Sequence, residues 1–221
     1  MESFQRTQRL AQKLLVAIAP VPVGAADSRS RATTTRPEDM LTEATKDAKA
    51  LAASIAAGGK VAEFCANCHG ANGNSTHPDV PNLAGQSARY LLDQTQKFFY
   101  GQRPNEYKQG LIKLLSPEDR VHLVVYYANQ VPVHQAAPDA SLAARGKGLY
   151  NEHCADCHGE DGRGDEKIAR VAGQQREYLT VSLMRYRERG GERIDPKMAR
   201  VVRPLTETDI RSLVLYMSAM Q

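Results

Sequence analysis

Cys65-Ala66-Asn67-Cys68-His69-Gly70 returns as Cys154-Ala155-Asp156-Cys157-His158-Gly159, and these two stretches contain all four cysteines of the 221-residue chain. The recurrence extends well beyond them. Ala84-Gly85-Gln86 matches Ala172-Gly173-Gln174, and Tyr90-Leu91 matches Tyr178-Leu179. Arg103 pairs with Arg193, Leu115-Ser116 with Leu205-Thr206, Asp119 with Asp209 and Tyr126 with Tyr216. The offset stays within 88–90 residues throughout, which is the signature of an internal duplication.

Around the repeated motifs the pattern is helical. Ala88 to Tyr100 and Glu177 to Arg189 are amphipathic at helical spacing. Ser116-Pro117-Glu118-Asp119 and Thr206-Glu207-Thr208-Asp209 are helix starts, each with a hydroxyl N-cap and acids in the first turn. No convincing strand pair is present, so the predicted fold class is all-α, two tandem domains. Residues 58–130 form the first and 141–221 the second. The stretch 131–140, with Pro132 and Pro138 and no apolar periodicity, is a linker. Ahead of them, 27–57 is an N-terminal extension in which 38–57 reads as one helix ended by Gly58-Gly59.

Residues 1–26 have the three parts of a secretory signal: basic residues (Arg6, Arg9, Lys13), an apolar run from Leu14 to Val23, then Gly24-Ala25-Ala26. The run is short and contains Pro20 and Pro22, which disfavours a membrane span. The formal charge of +4 is modest, and no basic block interleaved with aromatics suggests nucleic acid.

A single Cys-x-x-Cys could be a redox dithiol or half of a zinc site. Two copies, each followed at once by His and Gly inside a duplicated helical domain, point instead to covalent haem attachment. Cys65 and Cys68, and Cys154 and Cys157, would each form two thioethers to one porphyrin. His69 and His158 would reach the two irons from the proximal side.

With Pro81-Asn82-Leu83-Ala84-Gly85-Gln86, Tyr90-Leu91, Gly101-Gln102-Arg103 and the helix after Leu115-Ser116, the chain resembles the dihaem cytochromes c of the c4 type over about residues 58–221. The resemblance implies two covalently bound haem c groups and single-electron transfer outside the cytoplasm, in the periplasm. It also implies that the Pro81 carbonyl takes the ring N–H of His69, with Ala169 aligned in the second copy. The family places a distal Met about eight residues before the final helix start. That position is Met198 in the second domain but Lys108 in the first, and no Met lies between Met40 and Met184. The first haem is therefore expected to be ligated by Lys108, with an open or water-bound iron, Tyr107, Gln109 or His77 as alternatives. His122 reads as structural.

The expected role is an electron carrier between a redox donor (a dehydrogenase or quinol-oxidising complex) and an acceptor (an oxidase or another cytochrome). Peripheral membrane association is compatible with it. The competing class is a haem enzyme or its subunit, of the thiosulfate dehydrogenase type, with small-molecule chemistry at the first haem.

Overall fold

The computed structural model describes residues 36–190 and 195–221; the leader, residues 27–35 and Arg193 lie outside the described residues. Eleven helices and no strand occur among the described residues. They are α1 (Pro37–Ala44), α2 (Ala48–Ala62), α3 (Ala66–His69), α4 (Ala88–Phe99), α5 (Glu106–Lys113), α6 (Pro117–Ala128), α7 (Ala140–His153), α8 (Ala155–His158), α9 (Arg176–Glu188), α10 (Pro196–Val202) and α11 (Glu207–Ala219). The duplication is visible in the packing: α2 crosses α6 in the first copy as α7 crosses α11 in the second.

Each crossing is set by one buried glycine. A Cβ on Gly58 would lie 2.0 Å from the carbonyl oxygen of His122, and one on Gly146 would lie 2.0 Å from that of Ser212. Only a hydrogen at Cα lets the helices approach so closely. This accounts for the departure from the expected helix over 38–57. The segment is two helices, broken at Thr45–Lys46, and the second begins where the Asp47 side chain accepts from the Ala50 amide. It then runs on through Gly58-Gly59 to Ala62, because Gly58 serves a crossing and not a stop. Ser54 on α2 hydrogen-bonds the His122 ring (2.8 Å), which ties that histidine into the same crossing.

The two cores are built alike. Leu92, Val121, Val125 and Tyr127 are buried in the first, and Tyr150, Val202, Ile210 and Leu213 in the second. Helix α1 adds Leu41 to the first core and packs on α6. The final helices start as the sequence predicts: Ser116 accepts from the Asp119 amide, and Thr206 forms a full capping box with Asp209. Between the copies, 131–139 has neither helix nor strand. It is nonetheless anchored, through Asn74 to Val131 and Val133 and through the amide of Gln135 to the Ser218 carbonyl.

Two stability predictions follow from this packing. Gly58→Ala and Gly146→Ala are expected to cost about 3 kcal/mol each, the upper end for overpacking. Gly148→Ala, at an open helical position, should instead gain about 0.5–1 kcal/mol; thermal unfolding compares the three. Asp209 is held down at about 2, first by the Thr206 hydroxyl and then by Arg145. Its stabilisation is complete above the ordinary carboxylate range and fades as pH falls towards 2. Asp209→Asn should therefore lose about 1 kcal/mol of capping at neutral pH. The gap from the parent protein should close on acidification, read as denaturation midpoint against pH.

Candidate haem sites

The motif cysteines and histidines are held by one-turn helices. In α3 the His69 amide bonds the Cys65 carbonyl (2.9 Å), and in α8 the His158 amide bonds that of Cys154 (2.9 Å). Gly70 and Gly159 then turn the chain at φ 77° and 79°, where an L side chain is strained. At Gly70 an added Cβ would also lie 2.1 Å from the Asn74 carbonyl.

The turn brings each histidine ring onto a carbonyl in the next loop. His69 Nδ1 donates to Pro81 O (2.9 Å), as the resemblance implies, and His158 Nδ1 donates to Ala169 O (2.8 Å). With the proton committed to Nδ1, Nε2 carries the lone pair, the tautomer a metal requires. Burial, helped by the Lys108 charge, pushes His69 down to about 4, and burial lowers His158. Both rings are neutral at pH 7, as metal binding demands.

The first thiol of each motif lacks the activation of a redox dithiol. Burial raises Cys65, and it pushes Cys154 up to about 11, the opposite of the activated thiolates of redox Cys-x-x-Cys motifs. Among the described residues no three His, Cys, Asp or Glu side chains converge as a metal cage. The donor set offers instead two thiols and one imidazole per copy, which is what a porphyrin bringing its own equatorial ligands needs. Sequence reasoning missed two tyrosines here. The Tyr127 hydroxyl is buried beside the Cys65 thiol, and the Tyr150 hydroxyl donates to Gly159 O (2.7 Å). Both are core positions whose contact with the motif segment shows only in the folded chain.

Lys108 and Met198 are carried by two short helices that the sequence reading did not assign. Asn105 caps α5 and accepts from the amide of Lys108 (2.9 Å); Asp195 caps α10 and accepts from those of Lys197 (2.9 Å) and Met198 (3.1 Å). Lys108 and Met198 thus occupy the same place, third in a helix whose Asx cap binds their own backbone N–H. The Asx residues, with Pro196 at the first helical position, were the signal available in the sequence.

Lys108 Nζ lies 2.9 Å from His69 Nε2, so the ammonium donates to the lone pair of the ring. The first copy's candidate axial imidazole and its candidate distal ligand therefore meet in one space. Of the alternatives, Gln109 is directed to the Phe99 carbonyl (3.4 Å) and Tyr107 is 66% exposed. His77 belongs to the Ser75 turn of the histidine-side loop. Phe64 and Leu114 are each 81% exposed, apolar surface of the kind a bound porphyrin would cover. Met198 packs against the second core. The residues present fit a covalently attached haem in each copy.

Comparison with known proteins agrees. The family model described as cytochrome c matches residues 55–126 and 143–221. Cytochrome c4 of Azotobacter vinelandii is 31% identical over 190 residues, covering 76% of this chain and 90% of that protein. The thiosulfate dehydrogenase electron acceptor of Thiomonas intermedia (strain K12) is 30% identical over 184 residues, 77% of this chain and 84% of that one. The solved structure of reduced recombinant cytochrome c4 from Pseudomonas stutzeri superimposes with a TM-score of 0.69 at 29% identity. That match covers 76% of this chain and 98% of the solved one.

If the Asx caps position residues 108 and 198, Asn105→Ala and Asp195→Ala should each lower the unfolding free energy by about 1 kcal/mol. Chemical denaturation of the holoprotein measures this.

Proposed function

From the premise that this chain belongs to the cytochrome c family, in its dihaem c4 type, we propose that it is a two-potential electron relay whose first haem has a lysine as distal ligand. The chain carries two covalently bound haem c groups, and its partners are redox proteins. The haems supply one-electron Fe(II)/Fe(III) chemistry; the protein's part is to hold, shield and tune them.

In this reading Cys65 and Cys68 carry the first haem, between His69 and Lys108. Cys154 and Cys157 carry the second, between His158 and Met198. The observation behind it is the approach of Lys108 Nζ to His69 Nε2 (2.9 Å) at the position that Met198 fills in the other copy. Freeing the amine of its proton at pH 7 costs roughly 4.6 kcal/mol from an ordinary lysine pKa. Burial under a porphyrin and coordination to a ferric centre would offset that cost.

The two sites would then differ in direction of bias. Thioether ligation favours the reduced state and an amine the oxidised state, so Met198 raises the second potential and Lys108 lowers the first. Electrons would run downhill from the first domain to the second. A closed six-coordinate pair suits outer-sphere transfer at small, transient docking faces.

The donor would be a dehydrogenase or quinol-oxidising complex, and the acceptor an oxidase or another cytochrome. The similarity to a thiosulfate dehydrogenase electron acceptor favours a sulfur-compound dehydrogenase as the donor. The leader-like pattern of residues 1–26 supports a periplasmic location. No helix of the described residues is long and apolar enough to cross a membrane.

Near-infrared magnetic circular dichroism and EPR of the oxidised holoprotein test the ligand set. One His/Met and one His/amine low-spin haem are expected, the latter lost in Lys108→Ala and converted to His/Met in Lys108→Met. A high-spin first haem in the parent protein would overturn lysine ligation and favour the enzyme reading, with small-molecule chemistry at that iron.

A further inference from the structure

The repeated Ala-Gly-Gln triplets are not explained by haem attachment within either domain. Their glutamines, Gln86 and Gln174, are buried, and both reach into the other domain. Gln174 Oε1 accepts from the amide of Asn82 (2.7 Å), while its Nε2 donates to the Asn82 carbonyl (3.0 Å). Gln86 does the same in reverse: its Oε1 accepts from the amide of Arg170 (2.8 Å) and its Nε2 donates to the Arg170 carbonyl (3.1 Å). Each carboxamide thus grips one residue of the opposite domain by both backbone groups. Its orientation is fixed, since a flipped amide would face donor to donor and acceptor to acceptor.

The residues gripped are what gives the exchange meaning. The amide N–H of Asn82 belongs to the same peptide group as the Pro81 carbonyl, which accepts from His69 Nδ1 (2.9 Å). The amide N–H of Arg170 belongs to the same peptide group as the Ala169 carbonyl, which accepts from His158 Nδ1 (2.8 Å). Two three-part chains result: His69 to the Pro81–Asn82 peptide to Gln174, and His158 to the Ala169–Arg170 peptide to Gln86. Each starts in one domain and ends in the other.

We infer that Gln86 and Gln174 are crossed positioning residues, each setting the axial-histidine strength, and so the reduction potential, of the haem in the opposite domain. A peptide whose N–H is engaged by a good acceptor becomes more polarised, and its carbonyl accepts more strongly in turn. A stronger acceptor on Nδ1–H makes the imidazole more basic at Nε2, which stabilises ferric iron and lowers the potential. Removing the glutamine acceptor should therefore raise the potential of the other domain's haem. The inference rests on His69 and His158 being the iron ligands.

The control lies in the same interface. Gln175 is equally buried and also bridges the domains, donating to the Ser75 carbonyl and the Asn82 side chain, but it touches neither peptide beside a histidine acceptor. Gln174→Leu, Gln86→Leu and Gln175→Leu would be made in the full holoprotein, and both haems titrated potentiometrically with EPR assignment. Gln174→Leu is expected to raise the first potential alone, Gln86→Leu the second alone, and Gln175→Leu to produce no such crossed pattern. Gln174→Glu and Gln86→Glu, which keep an acceptor oxygen, serve if the leucine variants assemble poorly, and should not raise the opposite potential. Shifts confined to the mutated residue's own haem, equal shifts at both, or no shift would overturn the inference. Histidine ligation is read independently from the parent protein's EPR. Its absence at either haem would overturn the ligand assignment itself, whereas unshifted potentials with histidine ligation intact would overturn only the crossed coupling.

Discussion

The close crossing of two helices at a single glycine governs where everything else in each domain can stand. At Gly58 and Gly146 a helix backbone rests against the carbonyl of its partner, at a separation that no side chain permits. The chain leaving that contact reaches the first motif cysteine within a few residues, at Cys65 or Cys154. The crossing therefore fixes the start of the one-turn helix carrying the histidine. From there a left-handed glycine and a peptide carbonyl complete the aim of the imidazole. Error in the crossing would propagate directly to the motif histidine, since the intervening segment has little slack.

Duplication of this frame makes the difference between its two copies chemically informative. Lys108 and Met198 stand on short helices capped in the same way, so backbone geometry is nearly removed as a variable. What would remain, under the proposed ligation, is the donor atom: an amine that must lose a proton, or a thioether that has none to lose. Such a contrast, on one scaffold and in one chain, is an economical way to order two redox centres.

Much of this was legible in the sequence because it is local. The motifs and the caps at Ser116 and Thr206 depend on residues close together in the chain, the repeat shows as a constant offset, and the carbonyl at Pro81 was implied by the family resemblance. The helix break at Thr45–Lys46 was missed because the alanine-rich composition favours helix on both sides, while Asp47 acts as a cap only once the chain turns there. Helices α5 and α10 were missed for another reason. They have 8 and 7 residues, too few turns for a clear apolar period. Gly58 shows the converse error: a residue type that commonly ends helices was retained inside one for its missing side chain.

The recurrence of Ala-Gly-Gln shows how far a repeat can be read before structure is needed. A repeat implies equivalent roles within each copy, and nothing in one dimension tells that the two glutamines exchange partners. In three dimensions the exchange is reciprocal, and the linker reinforces it by passing Pro132 against Gly85 and His134 against Gly173, at the two turns that present the glutamines. Buried amides at an interface are costly unless every donor and acceptor is met, and here both ends of each carboxamide are met by backbone. A partial opening would leave those groups unsatisfied in both domains at once. Bonds that help hold the domains together also reach the loops on which their histidines rest, so the interface and the two histidine loops share one hydrogen-bond network.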